Sequence, residues 1–189
     1  MESKIDLATL PFPVAFPRAF AANEELTPNQ RVDNVIFAAY QAMRVTGLLL
    51  LADYLACETA SPNLAGAIRG LRMPYWGEWS VLCHQLSKFW SGHFPKSKPE
   101  RETRFARLVE GWLDVNRTKA TKQDPWAGLL AELPGLQGPA KSANDAFQKA
   151  RNDRAHRMAT HTLDRSKDEA LLTRVAPVLD AMLATLFPP

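Results

Sequence analysis

The stretch TPNQRVDNVIFAAYQAMRVTGLLLLADYLAC, Thr27 to Cys57, decides the fold class. Thr27 is a helix-capping residue type, and Pro28 follows at the first helical position, where its missing N–H costs nothing. Gln30 stands three residues after the cap and completes a capping box. Val32, Val35, Ile36, Ala39, Met43, Leu50, Tyr54 and Leu55 then recur at helical spacing, and Leu48 to Leu51 are apolar on every side. The segment therefore predicts one long, centrally buried helix.

Outward from this helix the same signals repeat. Ser61-Pro62 starts a short helix to about Gly70, and Pro74 starts another from Tyr75 to Trp90, ended by Gly92 and Pro95. This second helix carries Trp76, Trp79, Val81, Leu82, Leu86, Phe89 and Trp90, a pattern that reads as core rather than as a base-stacking platform. Pro99 to Asn116 keeps Phe105, Leu108, Val109, Trp112 and Leu113 in phase. Arg117 to Ala140 is rich in Pro and Gly, with room for one short helix from Trp126 to Leu133. Ala140 to about Ala159 is helical, and Ser166 with Glu169 forms a capping box for a last helix running through Pro177, where a kink is expected, to Leu186. Toward the other end, residues 10–20 hold three prolines among phenylalanines, which predicts an extended arm over residues 1–26 with its phenylalanines on the body of the fold or on a partner.

No alternating run of β-branched residues and no repeat occurs. The expected architecture is all-α: an antiparallel helical bundle over residues 27–187, with a loop-rich insertion before its penultimate helix. Phe187-Pro188-Pro189 reads as the start of a linker into further chain.

Composition removes several functional classes. The 189 residues are 46% hydrophobic and 23% charged, ordinary values for a single domain with a full core. The two cysteines, Cys57 and Cys83, are too few for a disulfide scaffold or a four-cysteine zinc site. Cys83-His84 with Cys57 and His93 lacks the paired short spacing of zinc ligands, so no metal and no cofactor is expected. The uninterrupted apolar run Leu48 to Ala52, closed by Asp53, is far shorter than the roughly 20 residues that span a bilayer, and the N-terminus is not a secretory signal. A cytoplasmic protein with no membrane partner is expected. Phosphate-binding glycine loops and the nucleophile elbow of α/β-hydrolases are absent from the sequence.

The best chemical signal is Arg151-Asn152-Asp153-Arg154-Ala155-His156. It resembles the R-N-x-x-x-H signature of the HEPN superfamily, all-α domains of prokaryotic toxins, antiviral effectors and RNA-processing enzymes. The signature lies late in the bundle, as it does in that family. There, two copies usually meet at a dimer interface to make one RNase site, and a small residue usually follows the histidine, where this chain has Arg157. The resemblance implies a metal-independent endoribonuclease that leaves a 2′,3′-cyclic phosphate, acting in a toxin or anti-phage system, with Arg151, Asn152 and His156 as its catalytic residues.

The residues suit that chemistry on their own terms. Cleaving RNA without metal needs a group to move protons at the 2′- and 5′-oxygens and a fixed positive charge for the transition state. Histidine supplies the first and arginine the second. On a regular helix Arg151 and His156 lie about 140° apart, so they flank a face instead of touching. That face holds Asn144, Gln148, Asn152, Ala155 and Ala159, small or amide residues suited to a second copy of the helix packed about a two-fold axis. Arg154 projects among Ala143, Phe147 and Ala150, which requires either an irregular helix or a carboxylate partner.

From Lys141 to Lys167 seven Lys or Arg face three Asp, a local excess of +4 in a chain whose total is +3. Arg154, Arg157, His161 and Arg165 are accordingly read as RNA-binding. The expected partners are RNA and a second copy, with an antitoxin or a C-terminal effector domain as further possibilities. Two other readings stand beside the enzyme: a non-catalytic dimerisation or sensor domain at the front of a larger effector, and a plain helical scaffold in which His156 is a hydrogen-bonded residue on a solvated face.

Overall fold

The computed structural model describes residues 5–57, 61–71, 75–93, 103–118, 121–160 and 164–188. Among them a 3-10 turn at Leu7–Thr9 is followed by α1 (Phe12–Ala22), α2 (Pro28–Ala56), α3 (Pro62–Gly70), α4 (Trp76–His93), α5 (Arg104–Val115), α6 (Ala127–Ala131), α7 (Ala143–Ala159) and α8 (Arg165–Leu186). Strands are absent from these residues, so the chain is all-α.

The expected capping box is present at the start of α2: the Gln30 N–H donates to Thr27 Oγ1 at 3.4 Å, and the Thr27 N–H donates to Gln30 Oε1 at 3.0 Å. α2 is the axis of the fold and packs against α1, α4 and α8. Its N-terminal and central turns bury Val32, Val35, Ile36, Ala39, Met43 and Leu50, as their spacing predicts. Around Leu48 to Leu51 the expectation of burial all round fails. Leu48 and Leu49 are half exposed and Leu55 more so, because α4 covers that end of α2 on one side only. On the covered side, Cys83 Sγ donates to the Met43 carbonyl at 3.3 Å and Trp90 Nε1 to the Leu50 carbonyl at 3.3 Å. By length and apolar composition α2 is long enough to cross a membrane, which its shorter uninterrupted apolar runs had concealed; half of its most apolar stretch is buried inside this fold.

The N-terminal segment departs from expectation. Residues 12–22 form a helix, not an extended arm. Pro11 caps it and Pro13 sits in its first turn, where neither forfeits a helical hydrogen bond. Pro17 forfeits one, and three tertiary interactions offset that loss. Val14, Pro17 and Ala21 bury one stripe against α2, Arg31 Nε donates to the Ala21 carbonyl, and Arg18 grips Asp180 of α8 through two hydrogen bonds of 2.6 and 2.8 Å. The phenylalanines point away: Phe12, Phe16 and Phe20 are exposed and stack on one another, with ring centroids 5.9 and 4.7 Å apart.

α8 starts two residues earlier than its apparent capping box implies. Asp164 is the cap, accepting from the Ser166 N–H at 2.8 Å, while Glu169 pairs with Arg165. The helix continues through Pro177 to Leu186. α4 likewise runs on through Gly92 to His93. The insertion before α7 is anchored by buried Trp126, Leu130, Leu133 and Leu136, and it turns with positive φ at Gly135, Gln137 and Gly138.

α5 and α8 come close together at Gly111, where an added Cβ would stand 2.7 Å from the Thr185 carbonyl oxygen. Overpacking of this kind costs about 1–3 kcal/mol, against a gain of at most about 1 kcal/mol for alanine over glycine in a helix. Gly111→Ala is therefore expected to lower the thermal midpoint, by roughly 2–4 °C per kcal/mol of net loss in a chain of this size. A differential scanning measurement showing an unchanged or raised midpoint would contradict this packing.

Candidate functional site

α7 carries the motif, and its two faces are chemically different. Ser142 caps it by accepting from the Asp145 N–H at 3.1 Å. The inward stripe is Ala143, Ala146, Phe147, Ala150, Arg154 and Arg157, all buried. The first four fill the space toward the core. The two arginines meet carboxylates instead, so of the two alternatives for Arg154 the carboxylate partner is the one realised.

Asp168 of α8, 1% exposed, accepts from Arg154 Nη1 at 3.2 Å and from Arg157 Nη1 at 2.7 Å. Arg154 also forks onto Asp33 of α2, with Nε–Oδ1 at 2.9 Å and Nη2–Oδ2 at 3.3 Å. Arg157 Nε donates to Asp153 one turn earlier on α7, at 2.9 Å. The result is a mostly buried network of two guanidinium groups and three carboxylates joining α2, α7 and α8. Bidentate geometry and shared partners are what make such burial tolerable.

The reading of Arg154 and Arg157 as RNA-binding residues is corrected by this network. They are 4% and 7% exposed and point into the fold. Arg157, the departure from the small residue expected after the histidine, turns inward and leaves the outer face clear. Arg165 is exposed but paired with Glu169 at 3.0 Å, and His161 lies outside the described residues. The surface charge near the motif is smaller than the sequence count implies, since two of its seven cations are neutralised inside.

The outward face holds Gln148, Arg151, Asn152, Ala155, His156, Met158 and Ala159, all exposed. Asn144 does not belong to it. Asn144 is 6% exposed, its Oδ1 accepts from Trp76 Nε1 at 3.2 Å, and its Nδ2 donates to Ser80 Oγ at 2.9 Å and Asn116 Oδ1 at 3.1 Å. It locks α7 to α4 and to the end of α5. Arg151 Nη1 reaches Asn152 Oδ1 at 3.4 Å, and no hydrogen bond joins Arg151 to His156 among the described residues. Within one chain the two stand apart on the helix, as the wheel requires.

Arg151 does have a neighbourhood that the motif did not reveal. It lines an open cleft of about 340 Å³ with Asp33, Ile36, Phe37 and Tyr40 of α2 and Tyr75 and Trp76 at the start of α4. Asp33, Ile36, Phe37 and Tyr40 fall at i, i+3, i+4 and i+7, which marks one helix face. That spacing was visible in the sequence, but it was indistinguishable there from a continuation of the core stripe.

The cysteine and histidine cluster weighed for metal does not assemble. Cys83 is buried against a carbonyl of α2, and burial pushes its thiol far above the usual range, so it stays protonated. Burial and the nearby Lys88 hold His84 below its ordinary value, and His93 Nδ1 contacts the Phe89 carbonyl at 2.7 Å. Among the described residues no three His, Cys, Asp or Glu side chains are placed to hold a metal ion. No family model matches the chain, and no curated protein or solved structure matches it either.

Removing one partner from a buried, hydrogen-bonded ion network costs about 3–5 kcal/mol, whereas an exposed pair contributes at most about 1 kcal/mol. Asp168→Ala is expected to unfold at markedly lower urea than the parent, and Arg165→Ala at nearly the same concentration. Equal midpoints for the two variants would show that the network does not hold the motif helix in place.

Proposed function

We propose that this chain is a HEPN-like endoribonuclease that works as a homodimer, with Arg151, Asn152 and His156 as its catalytic residues. The observation that carries the reading is the division of α7. Two of its arginines are anchored inward on aspartates, while the motif's arginine, asparagine and histidine stand exposed around the uncharged strip of Gln148, Asn152, Ala155 and Ala159.

A two-fold axis along that strip would bring two Arg151 and two His156 side chains toward one RNA phosphate. Arg151 would fork onto the phosphate oxygens and stabilise the charge that builds up as the 2′-oxygen attacks phosphorus. One His156 would take the 2′-hydroxyl proton and the other would protonate the departing 5′-oxygen, leaving a 2′,3′-cyclic phosphate and a 5′-hydroxyl. Asn152, already within reach of Arg151, would orient the guanidinium. A toxin or anti-phage role, with an antitoxin or effector partner, follows from the family resemblance alone.

The test is cleavage of end-labelled RNA in EDTA. The parent protein is expected to cut, Arg151→Ala and His156→Ala to lose roughly 10²–10⁴-fold in rate, and the active species to elute as a dimer. If the three proteins behave alike, or if a monodisperse monomer cuts, the reading fails. A dimer without cleavage would instead mark a dimerisation or sensor module.

A further inference from the structure

The cleft beside Arg151 combines three features that are not needed for a core. Its walls are aromatic, yet Tyr75 is 58% and Phe37 45% exposed, so two large rings stand in water where burial would be favoured. Deeper in, Tyr40 is stacked on Trp76, with ring centroids 5.7 Å apart and planes 30° from parallel. Trp76 is held by its hydrogen bond to Asn144, and the Arg44 guanidinium lies 5.7 Å from the Tyr40 ring centroid, so this inner wall is fixed before anything binds. The polar groups at the rim are a cation, Arg151, and a carboxylate, Asp33.

Aromatic walls around a cleft accept either an organic cation or a flat heterocycle. The rim decides between them. A cation cage is completed by unneutralised carboxylates, but here Asp33 is already forked by Arg154, and Arg151 adds a positive charge at the mouth. That arrangement repels an ammonium group and attracts a phosphate. Each carboxylate oxygen of Asp33 has a second lone pair beyond the one Arg154 uses, and its side chain is 52% exposed. It can accept from the amino group of a base. The cleft's volume is within the range of roughly 300–1,000 Å³ found for small-molecule sites.

We propose that this cleft is a nucleotide seat: the base inserts between Phe37, Tyr75 and the Tyr40–Trp76 wall, Asp33 accepts from its amino group, and Arg151 holds its phosphate. Guanine, adenine and cytosine carry the amino donor. Uracil offers one N–H flanked by two carbonyls, which Asp33 disfavours. The inference rests on the RNA reading for the source of the nucleotide, an RNA residue next to the scissile phosphate, but the seat itself uses no catalytic step.

The experiment measures binding by calorimetry and by ligand-observed NMR on the full chain. The probes are GMP, AMP, CMP, UMP, the corresponding nucleosides, ribose 5-phosphate, choline and a 2′-O-methyl tetranucleotide that cannot be cleaved through its 2′-oxygen. Nucleotides with an amino group are expected to bind more tightly than UMP, and the tetranucleotide more tightly than any of them. Phe37→Ala and Tyr75→Ala, both at exposed positions, are expected to weaken binding by roughly ten-fold or more with an unchanged thermal midpoint. Arg151→Ala is expected to weaken nucleotides but not nucleosides. Tighter binding of free mononucleotides than of the tetranucleotide would keep the seat and overturn its RNA source. Ribose 5-phosphate binding as well as GMP, choline binding in their place, UMP binding best, or no nucleotide binding at millimolar concentration would each overturn the proposal. The two readings separate cleanly: RNA cleavage that is abolished in His156→Ala, with no nucleotide binding that Phe37→Ala or Tyr75→Ala weakens, sinks the seat alone, while nucleotide binding without any cleavage sinks the nuclease alone.

Discussion

A carboxylate with almost no access to water, Asp168, sits between two guanidinium groups that reach it from the neighbouring helix. A charge in that position is unaffordable alone, and so is each arginine. They fold together or not at all. Because Arg154 and Arg157 are three residues apart on α7, satisfying both from one aspartate fixes the rotation of that helix about its axis. Arg154's second hold, on Asp33, fixes its distance from α2. Everything proposed for the outer face depends on this rotation, since a slip of one residue would turn Arg151 or His156 toward the core.

The same helix shows how far sequence reading reaches. Helix positions follow from capping residues and apolar periodicity, and those signals are local: Thr27 with Gln30, Pro62 and the tryptophan phase of α4 place three helices to within a few residues. The errors lie where a distant residue decides. Residues 11–22 hold three prolines and so read as extended; they are helical because Arg31 of the next helix and Asp180, far along the chain, meet the carbonyl and the arginine that the segment offers. Ser166 and Glu169 have capping-box spacing, yet Asp164 is nearer the free N–H groups and takes the role.

The site was legible in part for the same reason. A helical wheel finds Arg151, Asn152 and His156 on one side, and it finds that Arg154 is out of place among Ala143, Phe147 and Ala150. It cannot find Asp33 or Asp168, which arrive from other helices, so a count of positive charges between Lys141 and Lys167 overstates what solvent and ligands meet. The wheel places Asn144 on the outer face with Gln148 and Asn152, but Trp76, Ser80 and Asn116 claim it. The cleft at Arg151 was invisible because its aromatic residues come from two helices and each half resembles ordinary core.

The split of α7 into an inward and an outward alphabet also bears on how this protein can change over time. Arg154 and Arg157 cannot be traded for lysine without losing the forked geometry, and Asp168 cannot change without both. Positions 148, 151, 152, 155 and 156 touch none of that network. Substitutions there leave the helix anchored while altering what it presents, so selection can retune or extinguish the chemistry of this surface without first having to rescue the fold.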